Sequence, residues 1–354
     1  MSLSIGIVGL PNVGKSTLFN TLTHNKAESS NYPFCTIDPN VGIVKVPDER
    51  LEKLAQISNS KNIIPTIIEF MDIAGLVKGA SKGEGLGNQF LSHIRECDAI
   101  CEVIRGFEDK NIIHVNGKVD PQNDKETIGL ELIFADMATA ERSLARAEKE
   151  AKSNNKEAVK FRDVIKKVKE SLEEEIAVRD ISLNDEEKAL IKPLNFLTAK
   201  PIIYILNVND INKEIKLENI QHEVIKINAK IEEEISNLPE EEQGEFLKEL
   251  GVEEKGLDKL IKASYKLLGL STFFTSGEAE TRAWTIKNGA KAPQAAGVIH
   301  TDFEKGFIRA EIIQWDKFVE LGGEKKAKEK GLIKTEGKEY IMQDGDVCHF
   351  LFNK

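Results

Sequence analysis

The strongest constraint on this chain is a glycine-rich stretch near its start. Residues 9–17 read Gly-Leu-Pro-Asn-Val-Gly-Lys-Ser-Thr, after the apolar run 3–8 and before a helix-like pattern. A strand, a G-x-x-x-x-G-K-S turn and a helix are typical of a phosphate-binding P-loop, because glycines let backbone amides approach phosphates closely. The sequence therefore predicts an α/β nucleotide-binding domain, and the loop alone is equally compatible with a kinase, a transporter or a GTPase.

The loop predicts most of a triphosphate site. Backbone amides and the positive end of the following helix would face the phosphates, and Lys15 would reach the outer ones. The hydroxyl of Ser16 can bind Mg²⁺. The expected nucleotide contacts are Asn12, Val13, Gly14, Lys15, Ser16 and Thr17.

Two later segments predict the rest of the magnesium and γ-phosphate site. The strand-like run 65–73 leads into Asp72-Ile73-Ala74-Gly75, which places Asp72 to hold Mg²⁺ and the Gly75 amide to face the γ-phosphate. Thr36, in a proline-containing loop, is the natural second switch residue and a further Mg²⁺ ligand. The glycines that follow Gly75 favour a switch loop that orders against ligand, with a flexible surface linker as the alternative.

Length and charge bound the class of protein. With 354 residues we expect two or three domains, and the formal net charge of -10 argues against a dominant nonspecific nucleic-acid binder. No DNA partner is expected. We see no signal-peptide pattern and no apolar run long enough to cross a bilayer, so we expect a cytoplasmic protein with no membrane partner. The four cysteines lack paired metal-ligand spacing, which argues against zinc.

The spacing of strands predicts an insertion. About a hundred residues separate the strand-like runs 98–105 and 201–207, and apolar residues between them recur every three or four positions on either side of Ser153-Asn154-Asn155. This pattern predicts an antiparallel coiled-coil hairpin, which either binds a partner or serves as a structural arm.

The expected domain organisation has three parts. A P-loop domain with a mostly parallel sheet would comprise 1–127 and 199–276, with 270–275 as its final strand. The helical insertion would comprise 128–198, and a small α+β domain 277–354.

Several stretches together resemble the YchF proteins, called Obg-like ATPases in eukaryotes, of the TRAFAC class of P-loop NTPases. The resemblance covers nearly the whole chain and is most specific at 72–81, 282–285 and 291–303. It implies a G domain, the coiled-coil insertion and a C-terminal TGS domain of ubiquitin-like β-grasp shape. It also implies slow, Mg²⁺-dependent hydrolysis of ATP to ADP and phosphate, and association with the ribosome, including contact with rRNA.

The base-recognition segment leaves ATP and GTP as alternatives. GTPases end a strand with Asn-Lys-x-Asp, where the Asp accepts hydrogens that guanine has and adenine lacks. Here the strand ends Asn207-Val208-Asn209-Asp210, so the lysine that covers the base is replaced by Val208. YchF proteins usually carry Glu where this chain has Asp210. The resemblance favours ATP, with Asn207 and the Val208 backbone beside adenine, and an Obg-type GTPase acting in translation or ribosome assembly is the alternative.

The hydrolytic residues are not fixed by the motifs. Ras-type proteins place Gln directly after Asp-x-x-Gly, where this chain has Leu76. The resemblance implies that Asn12 holds K⁺ beside the phosphates and that His114 is catalytic, whereas a lone histidine is otherwise a core or solvent-facing residue.

Two function classes remain, an ATP-hydrolysing switch and a nucleotide-stabilised adaptor with incidental hydrolysis.

Overall fold

A computed structural model describes residues 3–24, 40–73, 86–115, 117–152 and 155–353. Apart from those gaps, the chain divides into two compact units, one formed by 3–24, 40–42 and 69–259 and the other by 43–68 and 260–353. The strands are β1 (Ser4–Val8), β2 (Val41–Lys45), β3 (Asn62–Ile64), β4 (Ile67–Asp72), β5 (Ala99–Arg105), β6 (Ile202–Asn207), β7 (Val224–Ile227), β8 (Leu270–Ser276), β9 (Glu280–Lys287), β10 (Phe307–Gln314), β11 (Lys334–Glu336) and β12 (Asp346–Phe352).

The α-helices are α1 (Lys15–His24), α2 (Glu49–Ser58), α3 (Leu86–Glu96), α4 (Pro121–Ala151), α5 (Lys156–Glu173), α6 (Asp185–Ile191), α7 (Ala229–Asn237), α8 (Glu240–Glu249), α9 (Gly256–Leu267), α10 (Ala292–Ile299), α11 (Thr301–Lys305), α12 (Trp315–Leu321) and α13 (Glu324–Glu329). Short 3₁₀ helices at Val178–Asp180, Lys192–Leu194 and Leu197–Ala199 lie between α5 and β6.

The first sheet is the predicted α/β sheet. Its strand order is β2-β4-β1-β5-β6-β7, and the β1–β4, β1–β5, β5–β6 and β6–β7 pairs are parallel. Every residue of β1 and of β5 is buried, as expected for central strands covered on both faces. Parallel strands end at the same edge, so the carboxyl ends of β1, β4, β5 and β6 meet there, where ligands bind in open α/β sheets.

The predicted hairpin insertion consists of α4 and α5. The two helices fold back on each other around buried apolar residues that include Ala140, Ile165 and Val168. The structure begins the first helix at Pro121, ahead of the expected boundary at 128, because Asp120 caps it by accepting from the Asn123 amide and proline suits the first helical turn.

The second unit contains a second six-stranded sheet, ordered β11-β10-β12-β8-β9-β3. The expectation that 270–275 is the last strand of the nucleotide-binding sheet is wrong. That run is β8, and it pairs antiparallel with β9 from Leu270↔Lys287 to Ser276↔Thr281. A connection as short as 277–279 favours a hairpin between neighbouring strands, and this local pairing decides the sheet to which β8 belongs.

Candidate nucleotide-binding site

Lys15 begins α1 directly after the glycine-rich loop. Its side chain is buried, and Nζ donates hydrogen bonds to the carbonyls of Gly9, at 3.0 Å, and Leu10, at 2.8 Å. Burial lowers the pKa of Lys15 to about 8, against the opposing effect of the nearby Asp72 carboxylate. The ammonium group therefore lies inside the loop, where an anionic phosphate would stabilise its charge.

Gly14 shows why the loop requires glycine. Its φ is 97°, and a Cβ at this position would lie 2.3 Å from Nδ2 of Asn207. Asn207 ends β6 and uses both ends of its amide within the protein, since Nδ2 donates to the Val13 carbonyl at 2.9 Å and Oδ1 accepts from the Ala229 amide at 3.1 Å. Asn207 thus links the phosphate loop to the start of α7.

Ser16 and Asp72 meet beside Lys15. The Ser16 hydroxyl lies near the Asp72 carboxylate, which ends β4. Burial raises the pKa of Asp72, while Lys15 and Ser16 act in the opposite direction. A hydroxyl and a carboxylate are hard oxygen ligands of the type that Mg²⁺ prefers, so the residues present fit this metal. The other expected contacts at this site, Thr36 and Gly75, lie outside the described residues, as does Leu76.

His114 lies in the connection between β5 and α4. Its side chain is only 3% exposed, and Nε2 is 2.9 Å from Oδ2 of Asp124 in the first turn of α4. The neighbouring carbonyl of Ile113 accepts a hydrogen bond from Nδ2 of Asn12, at 3.1 Å. The connection that carries His114 is therefore bonded to the phosphate loop.

The base-recognition segment is only partly arranged as in Asn-Lys-x-Asp proteins. Val208 is buried in an apolar cluster with Ile104 and Leu206, and its amide donates to the Ile227 carbonyl. Asp210 is exposed, and its carboxylate accepts from the Asn212 amide at 2.8 Å. The exposed carboxylate can re-orient toward a base, whereas the Val208 side chain is held in the core.

Three buried charged residues near this edge were missed from the sequence. Arg105 and Glu102 are each 1% exposed on β5, and Asp124 is 2% exposed. Oε1 of Glu102 and Oδ1 of Asp124 have no hydrogen-bond partner among the described residues. The signal in the sequence is a pair of charges inside the otherwise apolar run Ala-Ile-Cys-Glu-Val-Ile-Arg, where a fully buried strand favours apolar residues.

Across the residues that the structure describes, no helix combines the length and apolar character needed to cross a membrane.

A parallel sheet, a lysine-containing phosphate loop and a Ser–Asp pair define a P-loop protein of the G-domain class. Consistently, residues 4–135 match the family described as "50S ribosome-binding GTPase". Residues 270–353 match the YchF-GTPase C-terminal family, described as a protein of unknown function (DUF933).

Full-length comparisons identify the family. The chain is 56% identical to the protein named Ribosome-binding ATPase YchF of Bacillus subtilis (strain 168) and 53% identical to that of Escherichia coli O157:H7, with 100% of both chains covered in each case. The solved structure of the Schizosaccharomyces pombe YchF GTPase superimposes with a TM-score of 0.89 at 39% identity, covering 99% of this chain and 98% of that one. The chain belongs to the YchF family, which confirms the resemblance found in its motifs.

Proposed function

We propose that this protein is a ribosome-associated nucleotide switch that binds ATP and slowly hydrolyses it to ADP and phosphate. The observation that carries the proposal is the buried Lys15 ammonium, which donates to the Gly9 and Leu10 carbonyls inside the glycine-rich loop and has the Asp72 carboxylate nearby. The names of the bacterial relatives, which describe ribosome-binding ATPases, supply the base and the partner.

The proposed phosphate and metal contacts follow from the loop. Backbone amides from 12–17 bind the phosphates, and Lys15 neutralises the outer ones. Ser16, Asp72 and Thr36 would hold Mg²⁺, which in P-loop proteins neutralises charge that develops on the phosphates. Asn12 would hold K⁺, and the Gly75 amide would bind the γ-phosphate.

We favour ATP over GTP. The buried Val208 side chain does not provide the stem that covers guanine in Asn-Lys-x-Asp proteins, and adenine would lie against Asn207 and the Val208 backbone. The exposed Asp210 carboxylate is the feature that favours GTP instead. Competitive binding of the two nucleotides decides between them, and a GTP dissociation constant about tenfold below that of ATP, a difference of ~1.4 kcal/mol, would reverse the assignment.

We assign His114 as the catalytic residue of hydrolysis. In the structure its imidazole is bonded to Asp124, so this role requires His114 to leave that contact or to act through its other ring nitrogen. The test is single-turnover hydrolysis by His114→Ala, with and without ribosomes, and we expect the rate to fall. His222→Ala is the matched control, because His222 also pairs with an aspartate, Asp180, at 3.0 Å. An unchanged rate in His114→Ala would remove the role.

The adaptor alternative treats hydrolysis as incidental. It is favoured by the long hairpin of α4 and α5, which exposes much surface for a partner. If hydrolysis drives a cycle, a variant that binds ATP but does not hydrolyse it should stay bound to ribosomes in co-sedimentation with ATP. Release at the wild-type rate would support the adaptor instead.

The domain roles complete the proposal. Residues 1–127 with 199–276 would form the G domain, without 43–68 and 260–276, which belong to the second unit. Residues 128–198 would form the ribosome-facing arm, and 277–354 the core of a TGS domain with rRNA as its contact. Association with ribosomes would place the protein in the cytoplasm. Co-sedimentation of the full chain with separated ribosomal subunits, in ATP and in ADP, tests the association with ribosomes. Absence of the protein from the pellets of both subunits, with either nucleotide, would contradict that association.

A further inference from the structure

Arg105 is a buried charged side chain that the proposed chemistry does not use. It ends β5 and is 1% exposed. Its guanidinium donates hydrogen bonds to three backbone carbonyls, with Nε 3.1 Å from Phe107 O, Nη2 2.9 Å from Ile112 O and Nη1 3.4 Å from Asn12 O. The planar group also lies over the Phe107 ring, with Cζ 4.4 Å from the ring centroid.

The three carbonyls belong to two segments that are distant in sequence. Asn12 is in the phosphate loop, whereas Phe107 and Ile112 are in the β5–α4 connection that leads to His114. A second bond joins the same segments, since Nδ2 of Asn12 donates to the Ile113 carbonyl. Asn12 has a φ of 63°, in the left-handed region, so its conformation needs support from neighbouring groups. Arg105 therefore lies at the junction of the phosphate loop and the connection.

The energetics favour a role beyond packing. Burying a guanidinium is costly, and an apolar side chain of similar volume often stabilises a core more. Within the described parts of the chain Arg105 forms no salt bridge, and the Asp124 carboxylate lies near enough to feel its charge: burial raises the pKa of Asp124, while Arg105 acts in the opposite direction. What a guanidinium provides and an apolar side chain does not is a rigid, planar set of donors that fixes several acceptors at once.

We propose that Arg105 is a positioning residue for hydrolysis, which holds Asn12 and the connection carrying His114 in one arrangement. The proposal rests on the proposed function, because it assumes that this edge of the sheet binds a nucleoside triphosphate. Arg105 touches backbone rather than nucleotide, and its effect is transmitted through Asn12 and residues 107–114. Among the proposed phosphate contacts 12–17, Arg105 forms a hydrogen bond with Asn12 alone, so binding of the diphosphate part should be little affected.

The experiment compares three variants of the full chain. Arg105→Met removes all the donors, and Arg105→Lys keeps the charge but loses the planar fork. Arg179→Met is the matched control, because Arg179 also donates to two backbone carbonyls, of Thr198 at 2.8 Å and Lys200 at 2.9 Å, near the end of the hairpin insertion. Hydrolysis and ADP affinity are measured at a temperature where circular dichroism shows each variant to be folded.

For Arg105→Met we expect kcat to fall at least about tenfold, while the Kd for ADP stays within about threefold of wild type. The kcat of Arg105→Lys should lie between those of wild type and Arg105→Met. Arg179→Met should keep kcat within about twofold of wild type. The proposal is overturned if Arg105→Met leaves kcat unchanged, loses ADP affinity in the same proportion as kcat, or matches Arg179→Met. If Arg105→Met does not fold, Arg105→Lys is judged by the same split between kcat and ADP affinity.

Failure of the proposed function is recognised separately. A wild-type protein that hydrolyses neither ATP nor GTP would contradict the function and not the role of Arg105. The measurement is then the affinity for a non-hydrolysable triphosphate divided by the affinity for the matching diphosphate. Arg105→Met should lower this ratio by weakening triphosphate binding more than diphosphate binding. An equal ratio in the variant and in wild type would overturn the positioning role.

Discussion

Lys15 carries a charge that depends on what fills the phosphate loop. Burial holds its pKa at about 8, and bound phosphates would raise it again. At pH 8.5 roughly three quarters of free protein should have a neutral Lys15, so nucleotide binding should take up about 0.75 proton per site. Titration calorimetry with Mg²⁺–ADP in buffers of different ionisation enthalpy measures this uptake.

The sign of the pH dependence provides the control for Lys15. Because the free ammonium loses its proton above pH 8, ADP affinity should fall as the pH rises from 8 to 9.5. At pH 7 Lys15 is about 90% protonated in the free protein, and its share of the uptake should fall to about 0.1. Equal proton uptake at pH 7 and 8.5 would contradict the lowered pKa.

Glu102 provides a second test at the residue scale. Burial raises its pKa to about 8, with Arg179 and Lys125 acting in the opposite direction. A raised pKa means that its contribution to stability is full below about pH 4.5 and is lost as the pH rises through 8. Glutamine does not ionise, so Glu102→Gln should not lose this stability. At pH 8 we expect its free energy of unfolding to be about 2 to 4 kcal/mol higher than that of wild type.

Urea unfolding at pH 5 and pH 8 measures the effect of Glu102→Gln. At pH 5 the gain should shrink to about 1 kcal/mol or less, because Glu102 stays protonated in the folded protein and only the unfolded chain has begun to ionise. Glu148→Gln, on the exposed face of α4, should change neither value by more than about 0.5 kcal/mol. A gain in Glu102→Gln that is the same at both pH values would indicate a packing effect.

The sequence predicts individual site residues where a local motif determines them. Ser16 and Asp72 lie near each other, as expected for two motifs that each carry a known geometry. Arg105 and Asp124 could not be found this way, because their roles depend on loops that meet only after the sheet forms. The double use of the Asn207 amide has the same origin, since its two partners lie far apart in sequence.

At the scale of elements, α4 is anchored by Asp136. This residue is 1% exposed, and its carboxylate accepts from the amides of Leu197 and Thr198 and from the Thr198 hydroxyl, all within 2.8 Å. It thereby joins the hairpin to the segment that returns to β6. Asp136→Ala would leave two buried amides without an acceptor, so we expect a loss of about 2 to 5 kcal/mol in free energy of unfolding.

Circular dichroism at 222 nm during urea unfolding measures the effect of Asp136→Ala. Glu141→Ala on the same helix is the control, because Glu141 is exposed and should change stability by less than about 0.5 kcal/mol. Equal stabilities of Asp136→Ala and the control would show that the three hydrogen bonds contribute little.

The sequence predicts which segments form helices and strands better than it predicts which strands pair in one sheet. The three- and four-residue spacing predicted α4 and α5, because an amphipathic helix records its buried face in its own sequence. The expectation that β8 belongs to the first sheet is wrong because a buried strand has the same apolar pattern in either sheet. The start of α4 was set by Asp120 and Pro121, which lie ahead of the apolar stripe.

At the scale of the whole molecule, the second unit draws on two separate parts of the chain. Leu51 and Leu54 of α2 pack with Phe274, Ala283 and Phe318 in one apolar core, and β3 pairs with β9. A domain drawn from 277 to the end therefore lacks α2, β3 and β8. Sequence alone did not reveal this, because 43–68 lies between strands of the first sheet.

Leu54→Ala tests the contribution of α2 to the second unit. Leu54 is fully buried, and its truncation should cost about 2 to 5 kcal/mol in free energy of unfolding. Both tryptophans of the chain, Trp284 and Trp315, lie in this unit, so tryptophan fluorescence reports its unfolding. Glu52→Ala, exposed on the same helix, should stay within about 0.5 kcal/mol of wild type, and equal midpoints for both variants would exclude α2 from the core.

The length of α4 has a mechanical consequence. One unbroken helix runs from Pro121, close to the Asp124–His114 contact, to Ala151 beside the hairpin turn, and 31 residues at 1.5 Å each span about 46 Å. The part beyond the Asp136 anchor acts as a lever, because its 15 residues to Ala151 span about 22 Å and a tilt of about 5° about the anchor displaces the far end by about 2 Å. A partner that holds the tip of α4 can thus shift the base of the helix beside His114. Conversely, a small rearrangement around bound nucleotide at the base displaces the tip.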